Sequence, residues 1–168
     1  MKSIAIIYGS STDNTKDAAS KIAAAFSGYK VDVKDVCDVA DGDFQNYDLL
    51  ILGTSTWGIG ELQDDWATYE ANLGGLNLSG KTVALFGLGD SSGYPDTFTD
   101  GMGILYKSLA NTGCRFIGKV SSDGYTFDDS KAFVDGSFVG LPLDEDNESD
   151  MSDERIAKWT EALKAELG

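Results

Sequence analysis

Three times along the chain a short apolar run passes into a polar or glycine-rich stretch and then into a segment with apolar residues at helical spacing. The first run, Lys2 to Tyr8, is rich in isoleucine, as expected of a central parallel strand covered on both faces. After the polar stretch Tyr8 to Thr15, a stripe of Ala18, Ile22 and Phe26 with Ala19 and Ala23 predicts a helix that stops at Gly28. Lys30 to Val36 alternates Val31 and Val33 with polar residues and predicts an edge strand. Tyr47 to Leu52 predicts a third strand ending at Gly53, then a polar loop Thr54 to Gly60, then a helix with Leu62, Trp66, Tyr69 and Leu73 on one face. Lys81 to Phe86 repeats the form, with a glycine-rich loop from Gly87 to Asp100 and a helix carrying Met102, Leu105 and Leu109. Phe116 to Val120 opens a fifth strand, and a stretch of Gly, Ser and Asp intervenes before a second short run, Ser137 to Leu143. This pattern reads as a strand split by an insertion at about 121–143. Ser152 is placed to cap a last helix, with Asp153 and Glu154 in its first turn and Ile156, Trp159, Leu163 and Leu167 as its buried stripe. Buried strands alternating with helices predict an α/β fold, a doubly wound parallel sheet between two layers of helices, in one domain over residues 1–168.

Composition narrows the functions such a sheet can serve. The 168 residues include no histidine, which removes the commonest general base and metal ligand. Cys37 and Cys114 are too few for a four-thiolate cluster and too far apart for a dithiol motif, and read as small buried residues in a reducing compartment. Thirteen Lys and Arg against 28 Asp and Glu give a net charge of -15, which repels nucleic acid and anionic lipid and attracts basic proteins. The opening MKSIAIIY reads as a strand rather than a targeting segment, and no apolar run reaches membrane-spanning length, so a cytoplasmic, soluble protein is expected.

The candidate chemistry lies in the three loops, where ligands of doubly wound sheets bind. In the first, YGSSTDNT, Ser10, Ser11, Thr12, Asn14 and Thr15 surround Asp13 where a strand turns into a helix. Free N–H groups and the helix dipole favour an anion there, and one phosphate is the expected guest. The loop has neither the lysine of a Walker motif nor the three spaced glycines of a dinucleotide fingerprint. Taken alone, its polar residues could equally be helix caps. In the second loop Trp57 sits between Thr56 and Gly58, suited to covering a planar ligand, whereas Trp66 on the helix stripe reads as core. The third, GLGDSSGYPDTF, sets Tyr94 between Gly93 and Pro95, with Asp90 available to accept from a ring N–H. GYPD alone would be an ordinary turn. Two aromatics on neighbouring loops could sandwich a flat ring.

In these loops, and in their order and spacing along nearly the whole chain, the sequence resembles a flavodoxin. The split fifth strand makes it similar to the long-chain group. The resemblance runs from IAIIYGSSTDNTKDAA through GTSTWGIGELQDDW and GLGDSSGYPDTFTDGMGILY to SSDGYTFDDSKAFVDGSFVGLPLDEDNESDMSDERIAKW. It implies a five-stranded sheet in the order 2-1-3-4-5 and FMN bound noncovalently. The phosphate would lie in Ser10, Ser11, Thr12, Asp13, Asn14 and Thr15, and the isoalloxazine between Trp57 and Tyr94. Thr56, Gly58, Ile59 and Gly60 would line the ring's inner side. Leu88, Gly89, Asp90, Thr97 and Phe98 would belong to the outer loop, and Asp146 to the late acidic run.

Two departures from the family pattern stand out. Asp13 occupies a usual glycine position, and is expected to adopt glycine's left-handed backbone while its carboxylate points to water. Gly58 stands where long-chain members often carry a side chain, and is expected to ease a backbone turn that favours a neutral blue semiquinone.

The implied function is one-electron transfer, mainly between semiquinone and hydroquinone, and no enzymatic turnover. At about 12 Å and an effective dielectric near 40, each carboxylate opposes a negative reduced ring by roughly 0.7 kcal/mol. That is on the order of 30 mV for a one-electron couple; Asp64, Asp65, Asp90 and Asp96 are candidates. The implied partners are basic redox proteins: an NADPH-dependent flavodoxin or ferredoxin reductase, a 2-oxoacid oxidoreductase, and ferredoxin-using acceptors. Nothing demands more than a monomer. Two alternatives stay open. One is a flavodoxin-fold NAD(P)H:quinone reductase, although no segment stands out as its nicotinamide site. The other is a phosphoacceptor signalling domain, although Gly9-Ser10 and Gly53-Thr54 stand where it would want acids.

Overall fold

The structure is a computed structural model and describes residues 2–9, 13–57 and 60–167. Its order is β1 (Ser3–Gly9), α1 (Asn14–Ala25), β2 (Lys30–Asp35), β3 (Leu49–Trp57), β4 (Glu61–Leu62), α2 (Asp64–Leu73), β5 (Thr82–Leu88), α3 (Asp100–Leu109), β6 (Arg115–Ile117), β7 (Phe133–Val134), β8 (Ser137–Phe138), β9 (Leu141–Leu143) and α4 (Ser152–Leu167). The principal strands lie in the order β2-β1-β3-β5-β6, all parallel, with β2 at one edge. Among the helices of the described residues none is long and apolar enough to cross a membrane.

Alternation along each central strand divides the core between the two faces. Ile4, Ile6 and Tyr8 of β1, Leu49 and Ile51 of β3, and Ala84 and Phe86 of β5 pack against the stripes of α1 and α4. Ala5, Ile7, Leu50, Leu52, Val83 and Leu85 point the other way, onto Trp66 and Leu73 of α2 and Met102, Leu105 and Leu109 of α3. With both faces covered, the strands read as continuous apolar runs, which is why they were visible in the sequence.

The split fifth strand is literal. The first half of β5 pairs with β6, Thr82 opposite Arg115 to Ala84 opposite Ile117, and its second half pairs with β9, Phe86 opposite Leu141 to Leu88 opposite Leu143. Leu141–Leu143 are therefore sheet, and the inserted chain runs over 118–140 rather than 121–143. Within it β7 and β8 form a two-residue hairpin at Asp135 (φ 54°) and Gly136 (φ 85°), the left-handed pair that a DG turn supplies. Phe138 is fully buried, with the rings of Tyr125, Phe127, Phe133 and Phe98 5.0–6.1 Å away. The insertion crosses α3 at Gly103, where a Cβ would lie 2.4 Å from the Lys131 carbonyl carbon, so only glycine admits this approach.

Several local expectations change. β3 does not stop at Gly53: it runs through the polar Thr54–Trp57, because Thr54 and Ser55 still pair with β5 and Thr56 and Trp57 pair antiparallel with β4. Leu62 is in β4 and not on the helix, whose start is capped by the Gln63 side chain accepting from Asp65 N (3.0 Å) and Trp66 N (3.2 Å). β5 likewise extends to Leu88. Ser152 is the first residue of α4, after a 3₁₀ turn, and its hydroxyl donates to Glu145. Cys114 is half-buried, but Cys37 is exposed, with its thiol pKa pushed up to about 12 by the Asp65 carboxylate, by local desolvation and by Asp35. It stays a thiol at neutral pH.

Candidate functional site

The carboxyl ends of β1, β3 and β5 open on one cleft of about 410 Å³, within the usual range of small-molecule sites. Asn14, Ser55, Thr56, Trp57, Leu88, Gly89, Asp90, Tyr94, Glu145 and Asp146 line it. It thus runs from the first turn of α1 to two large aromatics that are left 38% and 49% exposed, Trp57 and Tyr94. Two large rings left exposed on the two sides of one cleft form a paired apolar surface suited to a planar ligand.

At the α1 end, Asp13 has a left-handed backbone (φ 67°, ψ -8°), as expected of a residue in a glycine position, and its exposed side chain makes no capping bond to the helix. Its carbonyl accepts from Asp17 N at 2.8 Å, while Thr15 is buried. Ser10, Ser11 and Thr12, the centre of the expected phosphate loop, lie outside the described residues.

The inner wall is the end of β3. Thr56 Oγ1 accepts from Gly101 N (2.9 Å), which pins the strand to the start of α3, and Trp57 Nε1 donates to Ser55 Oγ (2.7 Å). Gly58 and Ile59 lie outside the described residues. Gly60 follows with φ 84°, and a Cβ there would lie 2.6 Å from Asp100 Oδ2. Asp100 is buried, and burial raises its pKa against the opposing effects of the Lys131 N–H, 2.7 Å from Oδ1, and the Lys131 charge.

The outer wall, 89–100, has no ladder of its own and is tied at both ends. On one side Gly89 N donates to Leu143 O (3.0 Å), and the fully buried Asp144 accepts from Ser91 N (3.1 Å), the Ser91 hydroxyl, Asn147 N (3.0 Å) and Asn147 Nδ2 (3.0 Å). On the other side Pro95 O accepts from Asp128 N (2.8 Å) and Asp129 N (3.0 Å), and Phe98 N donates to Asp129 O (3.2 Å). Asp90 was expected to be available as an acceptor for a ring N–H. Its Oδ1 accepts from Gly93 N (2.8 Å), Asn147 Nδ2 (2.8 Å) and Ser92 N (3.1 Å), and these bonds, Gly93 first, lower its pKa. Asp146, on the rim, is pushed up by desolvation and then by Asp90, Asp144 and Glu145.

The cleft thus brings together eight expected residues: Asn14, Thr56, Trp57, Leu88, Gly89, Asp90, Tyr94 and Asp146. Thr97 packs beside Gly60, with its hydroxyl oxygen buried and unpaired among the described residues. Phe98 is turned away, 1% exposed in the aromatic cluster of the insertion. Trp66 is core, as read from the sequence, with Nε1 donating to Gly53 O at 2.7 Å. Ser55, Asp144, Glu145 and Asn147 were missed. In the run DEDN nothing in the sequence separates the last three from a solvated acidic stretch.

A parallel sheet in this order, with its cleft at the switch between β1 and β3, defines an α/β protein built to hold a ligand at the carboxyl ends of its strands. The comparisons specify which. The flavodoxin family profile matches residues 6–159, and the chain belongs to the flavodoxin family. It is 44% identical over 167 residues to a flavodoxin of Nostoc sp., covering 99% of this chain and 98% of that one. It is 44% identical over 170 residues to a Trichodesmium erythraeum flavodoxin, covering 100% and 99%. Among solved structures, Fusobacterium nucleatum flavodoxin bound to flavin mononucleotide superposes with a TM-score of 0.94 at 30% identity, covering 99% of both chains.

Proposed function

We propose that this protein binds FMN noncovalently in the cleft and carries single electrons between redox proteins. The observation that carries the reading is the cleft itself, which joins the first turn of α1 to Trp57 and Tyr94. That order of lining suits a phosphate at the helix start and a flat ring against the two aromatics. Bound FMN supplies the one-electron redox chemistry. The chain's part is to hold and tune it. Asp13, Asn14 and Thr15, with Ser10, Ser11 and Thr12, take the phosphate at the helix start. Trp57 and Tyr94 enclose the ring, Thr56 and Gly60 shape its inner side with Gly58 and Ile59, and Leu88, Gly89 and Thr97 complete the outer side. Phe98 acts from behind, by packing. Asp90, Glu145 and Asp146 line the rim without a lysine or arginine among the lining residues, which disfavours added negative charge and makes the reduced protein a strong electron donor.

The same acidic rim and the net charge of -15 favour fast, salt-sensitive encounters with basic partners. An NADPH-dependent flavodoxin or ferredoxin reductase, a 2-oxoacid oxidoreductase and ferredoxin-using acceptors fit that chemistry in the cytoplasm. A quinone reductase is disfavoured because the cleft offers one flat-ring site and no second one among its lining residues. The test is stepwise reduction of the reconstituted protein under a visible spectrum. Stoichiometric flavin with two separated one-electron steps is expected, and rapid oxidation of NADPH by the isolated protein would overturn the carrier reading.

A further inference from the structure

Asp144 sits outside the cleft lining, yet both acidic and aromatic parts of the outer side hang on it. It is completely buried at the end of β9, and among the described residues its carboxylate accepts only from Ser91 and Asn147, neither of them basic. One oxygen, Oδ2, takes both donors of Ser91, the backbone N–H at 3.1 Å and the hydroxyl. The other, Oδ1, takes the N–H of Asn147 at 3.0 Å. Asn147 Nδ2 then bridges Asp144 to Asp90 Oδ1 at 2.8 Å, and Asp90 folds the turn Ser92–Gly93 that leads into Tyr94. Glu148 N donates to Asp144 O at 2.8 Å, so the turn bearing Glu145 and Asp146 closes on the same residue. A buried carboxylate is costly unless its oxygens are satisfied, and here loop donors supply that satisfaction. Loosening the loop would strand the charge.

We propose that Asp144 is a positioning residue for the outer wall: its carboxylate holds the Tyr94 loop in register before any ligand arrives. The inference rests on the FMN reading for its effect on affinity, but not for the preorganisation itself. Asp144→Asn is the main variant, because it keeps shape and size while placing an amide where Ser91 needs an acceptor. Ser91→Ala is its companion, removing one donor with the charge kept.

In the FMN-free protein, Asp144→Asn should speed hydrogen exchange at the Ser91, Ser92, Gly93 and Tyr94 amides by about tenfold or more, with the β1 and β3 amides unchanged. In the reconstituted protein FMN affinity should fall by about tenfold in Asp144→Asn and in the same direction, by less, in Ser91→Ala. The visible circular dichroism of the bound ring should change with it. Unchanged exchange at these amides would overturn the proposal even if wild-type protein binds FMN. So would tighter FMN binding in Asp144→Asn with none lost in Ser91→Ala, the signature of a charge that merely repels. If wild-type protein took up no FMN, the functional reading would fall, while the exchange result would still decide the positioning role.

Discussion

Trp57 and Tyr94 face the same cleft, but their supports differ in kind. Trp57 ends a strand whose ladder continues to its last residue, between β5 on one side and β4 on the other. Tyr94 stands on a segment without a ladder, held by Asp144 and Asn147 from behind β9 and by the backbone of 128–131 in the insertion. The inner wall is therefore a continuation of the sheet, while the outer wall is held only by side-chain and backbone bonds from Asp144, Asn147 and the insertion. The insertion, which offered no chemistry as a sequence, acts as a back plate.

The largest way to break this contrast is Phe98→Ala. The ring is buried where loop 89–100 meets the insertion, and its removal should cost about 3–5 kcal/mol in denaturant unfolding, with faster amide exchange in 94–100 and 127–133 and little change in β3. Next come the walls themselves. Trp57→Ala and Tyr94→Ala should each weaken FMN binding by roughly tenfold or more, read by fluorescence titration. Phe98→Ala should weaken binding further in the Trp57→Ala background but not in Tyr94→Ala, because Phe98 acts only through the outer wall.

The smallest effect is one of pH. Asp90 has its pKa lowered by the Gly93 N–H, so the unfolded chain binds its proton more readily than the folded one. Its contribution to the outer wall is complete above the usual carboxylate range and fades as pH falls through the lower folded value. Exchange-labelled protein should show Ser92 and Gly93 loosening only under strongly acidic conditions, and Asp90→Asn should abolish that dependence.

The sheet was legible because burial on both faces writes each central strand as an unbroken apolar run, and the split of strand five because two apolar scraps flank a polar stretch. Trp57 and Tyr94 were legible as large rings among small residues. The path of β3 beyond Gly53 was not, since Thr54–Trp57 owe their extended form to pairing with β5 and with a two-residue strand that carries no periodicity. Phe98 was placed in the outer loop by the family resemblance, and a place in the loop says nothing of the direction its ring takes. The insertion, more than twenty residues on, claims its ring. Asp144 was hidden for a similar reason: an acid in an acidic run looks solvated until the two Ser91 donors arrive from fifty residues away.

The divided strand also sets an order of assembly. β1, β3 and β5 can join as soon as their helices form, but β9 reaches Leu88 only after the whole insertion has been placed, and the pairing of Phe86 with Leu141 closes a loop of more than fifty residues. Chain closure of that length costs entropy before any contact repays it. Pulsed hydrogen exchange during refolding is therefore expected to protect the β9 amides and the Ser91–Tyr94 loop only together with the insertion, since β9 cannot reach Leu88 without it.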